Sequence, residues 1–352
     1  MSNKNPYTVG FGKIPVQYQS RDIVIDSICD AFESDVPDEQ AFKLCGIRGT
    51  GKTVTMTSIE RKLQEEKDWI VIGVRPDTDI IKDIIAELYS SFKNIAEFID
   101  TNINLSLFGI GVSISGKKPA ASMDYALKVL LKELKKKKKR LLVTIDEARK
   151  TEGIVNFLQE FQIFIREGLP IFLLAAGLYE DIESIENADG ITFFLRATKY
   201  EMTPLNITNI KKDYAKTLEV SDSEAEKLAV TTKGYAFAYQ ALGKYMWDSG
   251  EKTLTDEVLR KLDEALSEKV YKKIWSELAP NDRYFIRFIA QKDKMSINEL
   301  LEETKRNHSQ WSVPRARLKE KGIINVEYRG EVSVTLPRFK EFVEEQVLLG
   351  NV

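Results

Sequence analysis

The sequence predicts an α/β protein in which a parallel sheet with helical crossovers is followed by a helical lid and a C-terminal winged helix. Three observations predict it: the octapeptide G-x-x-x-x-G-K-T after a buried strand, alternating strand and helix patterns up to residue 205, and largely helical spacing beyond it. We expect three domains, covering residues 1–205, 206–278 and 279–352, with a β-hairpin insertion at about 102–115.

Composition narrows the class of protein. Of the 352 residues, 43% are hydrophobic and 30% are charged, which is the balance of an ordinary soluble chain. No apolar run reaches the roughly 20 residues that span a bilayer, so we expect a cytoplasmic protein without a membrane partner. Cys29 and Cys45 fit reduced, buried thiols, and the single His308 argues against a histidine-based metal site. With a net charge of −2, nucleic-acid binding would need a local basic patch.

The octapeptide predicts a phosphate site. Its glycines let successive N–H groups turn toward an anion, Lys52 reaches the β- and γ-phosphates, and the Thr53 hydroxyl can ligate Mg²⁺. The strand predicted before it, at residues 41–45, and the helix after it provide the context that distinguishes a phosphate loop from a glycine turn. The binding residues that we predict are Gly46, Arg48, Gly49, Thr50, Gly51, Lys52, Thr53 and Val54.

A non-periodic lead precedes the sheet. Residues 5–20 place apolar and aromatic groups between turn formers, so the lead either lies over the adenine of a bound nucleotide or forms a strap on the domain surface. Ser20 is the predicted N-cap of a helix whose apolar residues are Ile25, Ile28, Cys29 and Phe32.

Beyond the loop the strand and helix patterns continue to alternate. Residues 69–74 predict a buried strand and residues 79–88 a helix. The hairpin pattern at 102–115 either packs on its own domain or contacts a partner or neighbouring subunit. A helix at 123–134 ends in six cations, Lys135 to Arg140, which either compensate the helix dipole as a solvated end or bind nucleic acid.

A second motif, Asp146-Glu147, follows the apolar run 141–145. A buried parallel strand delivers such carboxylates to the edge of the sheet where α/β proteins bind ligands. There Asp146 can hold Mg²⁺ through water and Glu147 can polarise an attacking water, whereas the structural alternative is an acidic pair that caps the next helix. Together with the phosphate loop, the pair predicts an ATPase site.

The rest of the first domain adds a helix at 154–165, a buried strand at 170–177 and a loop followed by the last strand within 193–205. In this last segment Arg196 is either a cation for the γ-phosphate or a neighbouring subunit, or a residue of a surface ion pair.

The C-terminal half is predominantly helical. We predict helices at 210–218, 223–230, 236–247 and 254–278, and then three helices and a hairpin that together define a winged helix. Between Lys305 and Lys321 there are six cations and one acid, which favours DNA contact by the third helix through Arg315, Arg317, Lys319 and Lys321. Winged helices also dock proteins, and that alternative stays open.

On these residues the chain resembles the P-loop ATPases of the AAA+ and STAND type, in particular the origin-recognition-complex-like group of archaeal-type ATPases. The resemblance covers nearly the whole chain and rests on Gly46 to Thr53, Asp146-Glu147, residues 234–240 and the terminal unit. It implies ATP and ADP as ligands. Two departures from the family pattern indicate slow hydrolysis: Ala175, Ala176 and Gly177 stand where a polar sensor is common, and Ala236-Phe237 where an arginine is common.

Two hypotheses for function follow. The first is an ATP-dependent switch that hydrolyses ATP, with Lys52 and Glu147 as catalytic residues, and whose winged helix contacts double-stranded DNA. The second is a signalling scaffold that holds ATP with little hydrolysis and docks a protein partner or another copy of itself.

Overall fold

A computed structural model describes residues 4–10, 14–91, 122–327 and 330–351. The predicted hairpin at 102–115, residues 11–13 of the lead and Arg329 of the predicted wing lie outside this described part. The chain divides into two compact units. The sheet unit comprises Arg21–Cys45 and Thr55–Glu201, and the helical unit comprises Met1–Ser20, Gly46–Val54 and Met202–Val352. The three-domain division remains a prediction.

The sheet unit alternates strands and helices as the apolar patterns predict. Its described elements are α1 (Asp22–Glu33), β1 (Ala41–Cys45), α2 (Lys52–Gln64), β2 (Trp69–Val74), α3 (Ile80–Ser91), α4 (Met123–Lys136), β3 (Arg140–Ile145), α5 (Glu152–Arg166), β4 (Ile171–Gly177), α6 (Tyr179–Glu186), α7 (Thr192–Arg196) and β5 (Thr198–Glu201). Strands β1 and β4 are buried along their whole length, as expected for central strands covered on both faces by helices.

The five strands form one parallel sheet in the order β2-β3-β4-β1-β5. The predicted parallel sheet with helical crossovers is therefore confirmed, and the structure adds that β4 lies between β1 and β3. Cys45 pairs with Gly177 and Ile145 pairs with Ala175, so β1 and β3 end at nearly the same level. Because parallel strands share a carboxyl edge, the phosphate loop and Asp146 both follow strands that end at this edge.

Three details of the sheet unit differ from the sequence predictions. Thr192–Arg196 is a short helix, α7, where a loop was predicted. The N-cap of α1 is Arg21 rather than Ser20, and it makes no side-chain cap bond. Helix α6 was not predicted, although Ile182 and Ile185 provide an apolar spacing of three.

The basic run after α4 is used partly within the sheet unit. The Lys139 ammonium donates to the carbonyl of Lys67, and Arg140 Nη1 donates to the carbonyl of Phe32 at 2.6 Å. The Arg140 guanidinium also lies 5.7 Å from the centre of the Trp69 ring. These contacts favour the interpretation of the run as the end of a helix over that of a nucleic-acid site.

The helical unit begins with α8 (Ile207–Thr217), α9 (Asp222–Thr231), α10 (Ala236–Ser249), α11 (Asp256–Leu266) and α12 (Lys272–Ser276). The helix predicted over 254–278 runs without a break from Asp256 to Ser276, but a π-helical turn at Ser267–Tyr271 divides it into α11 and α12. Around this turn the Tyr271 ring packs edge-on against Phe339, and Trp275 against Phe342.

The C-terminal part of this unit contains the predicted three helices and hairpin. Its described elements are α13 (Pro280–Ile289), β6 (Met295–Ser296), α14 (Ile297–Thr304), α15 (His308–Glu320), β7 (Ile324–Val326), β8 (Glu331–Val334) and α16 (Phe339–Leu348). The strands form an antiparallel sheet in the order β6-β8-β7. Helix α16 was not predicted, although Phe339, Phe342 and Val343 are buried at helical spacing.

The described residues of the lead form a strap on the helices of the same unit. The Tyr7 and Tyr239 hydroxyls each donate to Asp213 Oδ2 at 2.7 Å, and the Gln17 amide donates to the same carboxylate. Gln240 accepts from the backbone N–H of Thr8 and donates to the carbonyl of Gln17 at 2.8 Å. Residues 4–10 and 14–20 therefore follow the strap alternative, with α8 and α10 as the packing surface.

Candidate phosphate-binding site

The phosphate loop has the backbone that its glycines predict. Gly49 and Gly51 adopt φ of +76° and +92°, a region that side chains with a Cβ rarely enter. A Cβ at Gly46 would lie 2.7 Å from Thr50 Oγ1 and 2.9 Å from Met202 Cβ. The local geometry therefore favours glycine at positions 46, 49 and 51, independently of any ligand.

Lys52 closes the loop from its far end. It is the first residue of α2, and its Nζ donates to the carbonyls of Gly46 at 2.7 Å and Ile47 at 2.9 Å. Thr50 Oγ1 donates to the same Ile47 carbonyl at 2.9 Å. These bonds curl the loop around its lysine, and Thr53 and Val54 follow in the first turn of α2. A helix N-terminus with an ammonium group beside it fits the phosphates of a nucleotide.

The outer side of the loop is bonded to the helices of its own unit. The Tyr235 hydroxyl donates to the carbonyl of Arg48, and the N–H of Phe237 donates to the carbonyl of Gly49 at 3.0 Å. Arg48 Nη2 lies 3.1 Å from Glu277 Oε1. Sequence reasoning missed these roles, because it assigned Tyr235 to a helix-bundle core and gave Glu277 no role. The Gly234-Tyr235 pair at the start of a helix was the available signal.

The acidic pair lies in the sheet unit, directly after β3. Asp146 is half-buried, and its Oδ1 accepts the N–H of Glu147 at 2.9 Å. Glu147 is exposed and adopts a φ of +53°, which is uncommon for a residue with a side chain. Such backbone strain, of order 1–3 kcal/mol, clusters at functional sites. It supports a functional assignment for Glu147 independently of the motif.

Neighbouring contacts hold the turn after β3 in place. The N–H of Ala148 donates to the carbonyl of Ala176 at 2.7 Å, and a Cβ at Gly177 would lie 2.7 Å from the carbonyl oxygen of Ala148. Thr144 Oγ1 donates to Glu60 Oε1 at 2.5 Å, which links β3 to α2 within the sheet unit. The close approach explains the small residues at the end of β4 and leaves that strand end apolar.

The other predicted site residues are less concentrated. Arg196 ends α7, and its side chain is exposed. In α15, Arg315 and Lys319 are exposed, whereas Arg317 forms an ion pair with Asp282 through Nη2 and Oδ1 at 2.6 Å. Asp282 is 1% exposed, so Arg317 anchors α15 to α13. Lys321 is the C-cap residue of the helix. The basic count over this stretch therefore overstates the exposed charge of α15.

The described residues contain no group of three or more His, Cys, Asp or Glu side chains suited to a metal ion. Across the same ranges, no helix combines the length and the apolarity that a bilayer crossing requires.

Comparison with protein families gives two matches. Residues 37–185 match the AAA domain, and residues 268–343 match a domain of unknown function, DUF8462. No curated protein matches this sequence. The AAA match contains both the phosphate loop and Asp146-Glu147.

Solved structures extend the similarity to nearly the whole chain. The Walker-type ATPase PABY2304 of Pyrococcus abyssi has a TM-score of 0.65 and 15% identity, and the match covers 92% of this chain and 95% of that one. The Aeropyrum pernix ORC2 protein, as ADPNP–ADP complexes, has a TM-score of 0.60 and 14% identity over 97% of both chains. Its ADP form, with 15% identity and the same coverage of both chains, has a TM-score of 0.50.

The loop, the five-stranded parallel sheet and the AAA match define the fold class as that of an AAA+-type P-loop ATPase. Within this class, the chain is similar in fold over nearly its whole length to PABY2304 and to the Aeropyrum pernix ORC2 protein. The resemblance to AAA+ P-loop ATPases that the sequence predicts is confirmed at the level of the fold.

Proposed function

We propose that this protein binds ATP through Gly46–Thr53 and uses the nucleotide as a switch. The observation that carries the proposal is the closed loop, in which Gly49 and Gly51 have positive φ and Lys52 Nζ binds the carbonyls of Gly46 and Ile47 at the start of α2. The Aeropyrum pernix ORC2 protein, which has a similar fold, was solved with ADPNP and ADP. We extend adenine-nucleotide binding from that protein to this one.

In this proposal each residue of the two motifs has a separate task. The backbone N–H groups from Gly46 to Thr53, with Val54 behind them, cradle the phosphates, and Lys52 neutralises their charge. Thr53, and Asp146 through water, would hold Mg²⁺, which would supply charge neutralisation at the phosphates. Glu147 accepts a proton from the water that attacks the γ-phosphate in line. Arg196 is a further cation for the γ-phosphate or for a neighbouring subunit.

We propose that hydrolysis is slow. A polar group that orients the attacking water is absent from Ala175, Ala176 and Gly177, all of which are buried. In the helical unit, Ala236 and Phe237 stand where related ATPases often have an arginine. A protein that binds ATP and hydrolyses it slowly is suited to act as a nucleotide-dependent switch rather than to turn over ATP continuously.

The nucleotide site is tested by titrating MgATP into the wild type and the Lys52→Ala variant in a calorimeter. Loss of a charged donor to phosphate, worth about 1.5–3 kcal/mol for each bond, should lower the affinity by roughly 100-fold or more. The matched control is Lys62→Ala, which removes an exposed lysine of the same helix that pairs with Asp26 at 2.8 Å. Equal affinity in wild type and Lys52→Ala would contradict the proposal.

For the C-terminal part we propose a winged helix whose α15 contacts double-stranded DNA. The support is the position of Arg315 and Lys319, both exposed on a helix that carries the small residues Ser309, Ser312 and Ala316 on its exposed surface. Small residues allow a helix to approach the groove closely, while the two cations contact phosphates. Arg317 is left out of the contact set because of its ion pair with Asp282.

Salt dependence tests the DNA proposal. The double variant Arg315→Gln, Lys319→Gln should bind duplex DNA more weakly and reduce the slope of log affinity against log salt by about 2. Lys292→Gln is the control in the same part of the chain, since Lys292 pairs with Glu299 and Glu303. If the double variant matched the control, α15 would not be the DNA-binding helix.

One observation favours the second candidate function, a scaffold that docks a protein partner or another copy of the chain. Val313 lies on α15 and is 57% exposed, and an apolar side chain there suits a protein surface better than a phosphate backbone. No duplex binding at low salt, with loss of a protein complex in Val313→Asp, would support the scaffold over the DNA switch.

A further inference from the structure

Two hydrogen bonds to consecutive carbonyls hold the phosphate loop from its outer side, and we call this pair of bonds the grip. The Tyr235 hydroxyl binds the carbonyl of Arg48, and the N–H of Phe237 binds the carbonyl of Gly49 at 3.0 Å. Phe237 is the second residue of α10, where a backbone N–H has no acceptor within its own helix. Gly49 therefore supplies the acceptor that the helix start lacks, and all these residues belong to the helical unit.

These bonds fix two peptide planes of the loop. In a trans peptide the C=O and the following N–H point in opposite directions. With the Arg48 and Gly49 carbonyls turned toward Tyr235 and Phe237, the N–H groups of Gly49 and Thr50 are turned away from them. They are thus aimed toward the inner side of the loop, where phosphate oxygens would be bound.

A third contact leads from the loop to the C-terminal part. Arg48 Nη2 pairs with Glu277, which follows α12 and precedes the start of α13 by three residues. Lys273 lies 3.2 Å from the same carboxylate. The Arg48 Nε is buried without a hydrogen-bond partner, so the bond from Nη2 to Glu277 is the contact that orients the guanidinium.

The end of β8 and the residues that follow it are bonded to other parts of the helical unit. Lys233 Nζ, just before Tyr235, donates to the carbonyl of Val334 at 3.2 Å, and the Tyr271 hydroxyl donates to the carbonyl of Pro337 at 2.5 Å. Arg338 forms an ion pair with Asp263 of α11. The helical unit that holds the phosphate loop through Tyr235, Phe237 and Glu277 therefore also holds the end of β8 and the residues just after it.

We propose that Tyr235, the N–H of Phe237 and Glu277 are positioning groups that set the phosphate loop for nucleotide and transmit its state to the C-terminal part. This inference rests on the proposed nucleotide site and adds its regulation. The grip takes the place of the arginine by which a lid often senses phosphate. Its donors, the Tyr235 hydroxyl and the Phe237 N–H, act on the backbone of the loop instead of on the phosphates. Suppose that a ligand of the C-terminal part weakens the grip and so lowers the affinity for nucleotide. By linkage, bound nucleotide then lowers the affinity for that ligand by the same factor.

Hydrogen exchange in the nucleotide-free protein tests the grip by itself. We expect the Phe237 amide to exchange far more slowly than that of Ser223, the exposed second residue of α9. In Tyr235→Phe, which keeps the ring and removes the hydroxyl, exchange at Phe237 should rise by roughly twofold to tenfold. Tyr245→Phe in the same helix is the control. A Phe237 amide that exchanges as fast as Ser223 in the wild type would overturn the inference, whatever the nucleotide result.

MgATP titrations test the positioning role. Tyr235→Phe and Glu277→Gln should each lower the affinity for ATP by roughly twofold to tenfold. The control variants Tyr245→Phe and Glu268→Gln, the latter at an exposed residue, should leave it unchanged. If Arg48 acts through Glu277, the double variant Arg48→Gln, Glu277→Gln should lose less than the product of the two single losses. Fully multiplicative losses, or unchanged affinity in Tyr235→Phe, would overturn the role. No ATP binding by the wild type would instead refute the proposed function itself.

Discussion

Replacing Glu186 by alanine should destabilise the sheet unit, because it leaves a buried ammonium group without its counter-charge. Lys43 lies in the middle of β1 with 1% of its surface exposed, and its Nζ lies 2.7 Å from Glu186 Oε1. The same nitrogen donates to the carbonyl of Phe194 at 2.5 Å and lies 4.9 Å from the centre of the Phe194 ring. Lys43 thus joins a central strand to the ends of α6 and α7, next to Arg196.

The expected loss of stability follows from the burial of both side chains of the ion pair. Glu186 is only 8% exposed in its side chain, so solvent screens the pair little. Removing one partner of such a pair typically costs about 3–5 kcal/mol, while replacing both by apolar groups of similar size is often neutral or stabilising. We therefore expect Glu186→Ala to be far less stable than the double variant Lys43→Met, Glu186→Leu, which should come within about 1 kcal/mol of the wild type.

The assay is native-state hydrogen exchange at the amides of β1 and β4, since a chain with two units need not unfold in one step. Their free energies of opening should fall in Glu186→Ala and recover in the double variant. Glu268→Ala, which removes an exposed helix pair with Lys272, is the control and should cost less than about 1 kcal/mol. A loss below 1 kcal/mol in Glu186→Ala would refute the reasoning.

Three further predictions concern backbone and titration. Gly153→Ala should cost roughly 2 kcal/mol or more in urea unfolding, because its Cβ would collide with the carbonyl oxygen of Thr78, whereas Gly250→Ala, with open space around it, should cost only about 1 kcal/mol for its φ of +72°. Glu147→Gly should stabilise the protein by about 1 kcal/mol by relieving its positive φ, and should reduce ATP hydrolysis without loss of ATP binding. Burial, and then the charge of Asp213, raise the pKa of Tyr7 and Tyr239. A raised folded-state pKa gives stability that is fully present below the ordinary tyrosine pKa of about 10 and lost above it, so the alkaline fall in stability should be shallower in Tyr7→Phe by up to about 1.4 kcal/mol per pH unit.

The parts of the fold that could be predicted are those written in local patterns. The strand at Ala41–Cys45, the loop that follows it and the strand before Asp146 each combine a short apolar run with a motif of fixed spacing. The insertion of β4 between β1 and β3 could not be read from the chain, because strand order depends on contacts distant in sequence. The π-helical turn at Ser267–Tyr271 escaped for a similar reason, since helical spacing alone does not reveal one extra residue in a turn.

The site was predictable to a lesser degree. Motif spacing indicated Lys52, Asp146 and Glu147, but not the left-handed backbone of Glu147, which only coordinates show. Charge counting grouped Arg317 with Arg315 and Lys319, although its partner Asp282 lies 35 residues earlier. Glu277 belongs to no motif, and Tyr235 lies in the segment 234–240 of the family resemblance, which does not indicate a contact with the loop. Their contacts with the loop join residues separated by 187 and 229 positions, which no local pattern encodes.

The measurement that tests the switch most directly is duplex DNA affinity, determined at one salt concentration with saturating ATP and then with saturating ADP. Our account predicts different affinities in the two nucleotide states for the wild type. The difference should vanish in Lys52→Ala, which no longer holds the nucleotide, and shrink in Tyr235→Phe, because the loop is then less tightly coupled to the rest of the helical unit. Equal DNA affinity with ATP and ADP in the wild type, with both nucleotides bound, would contradict the account.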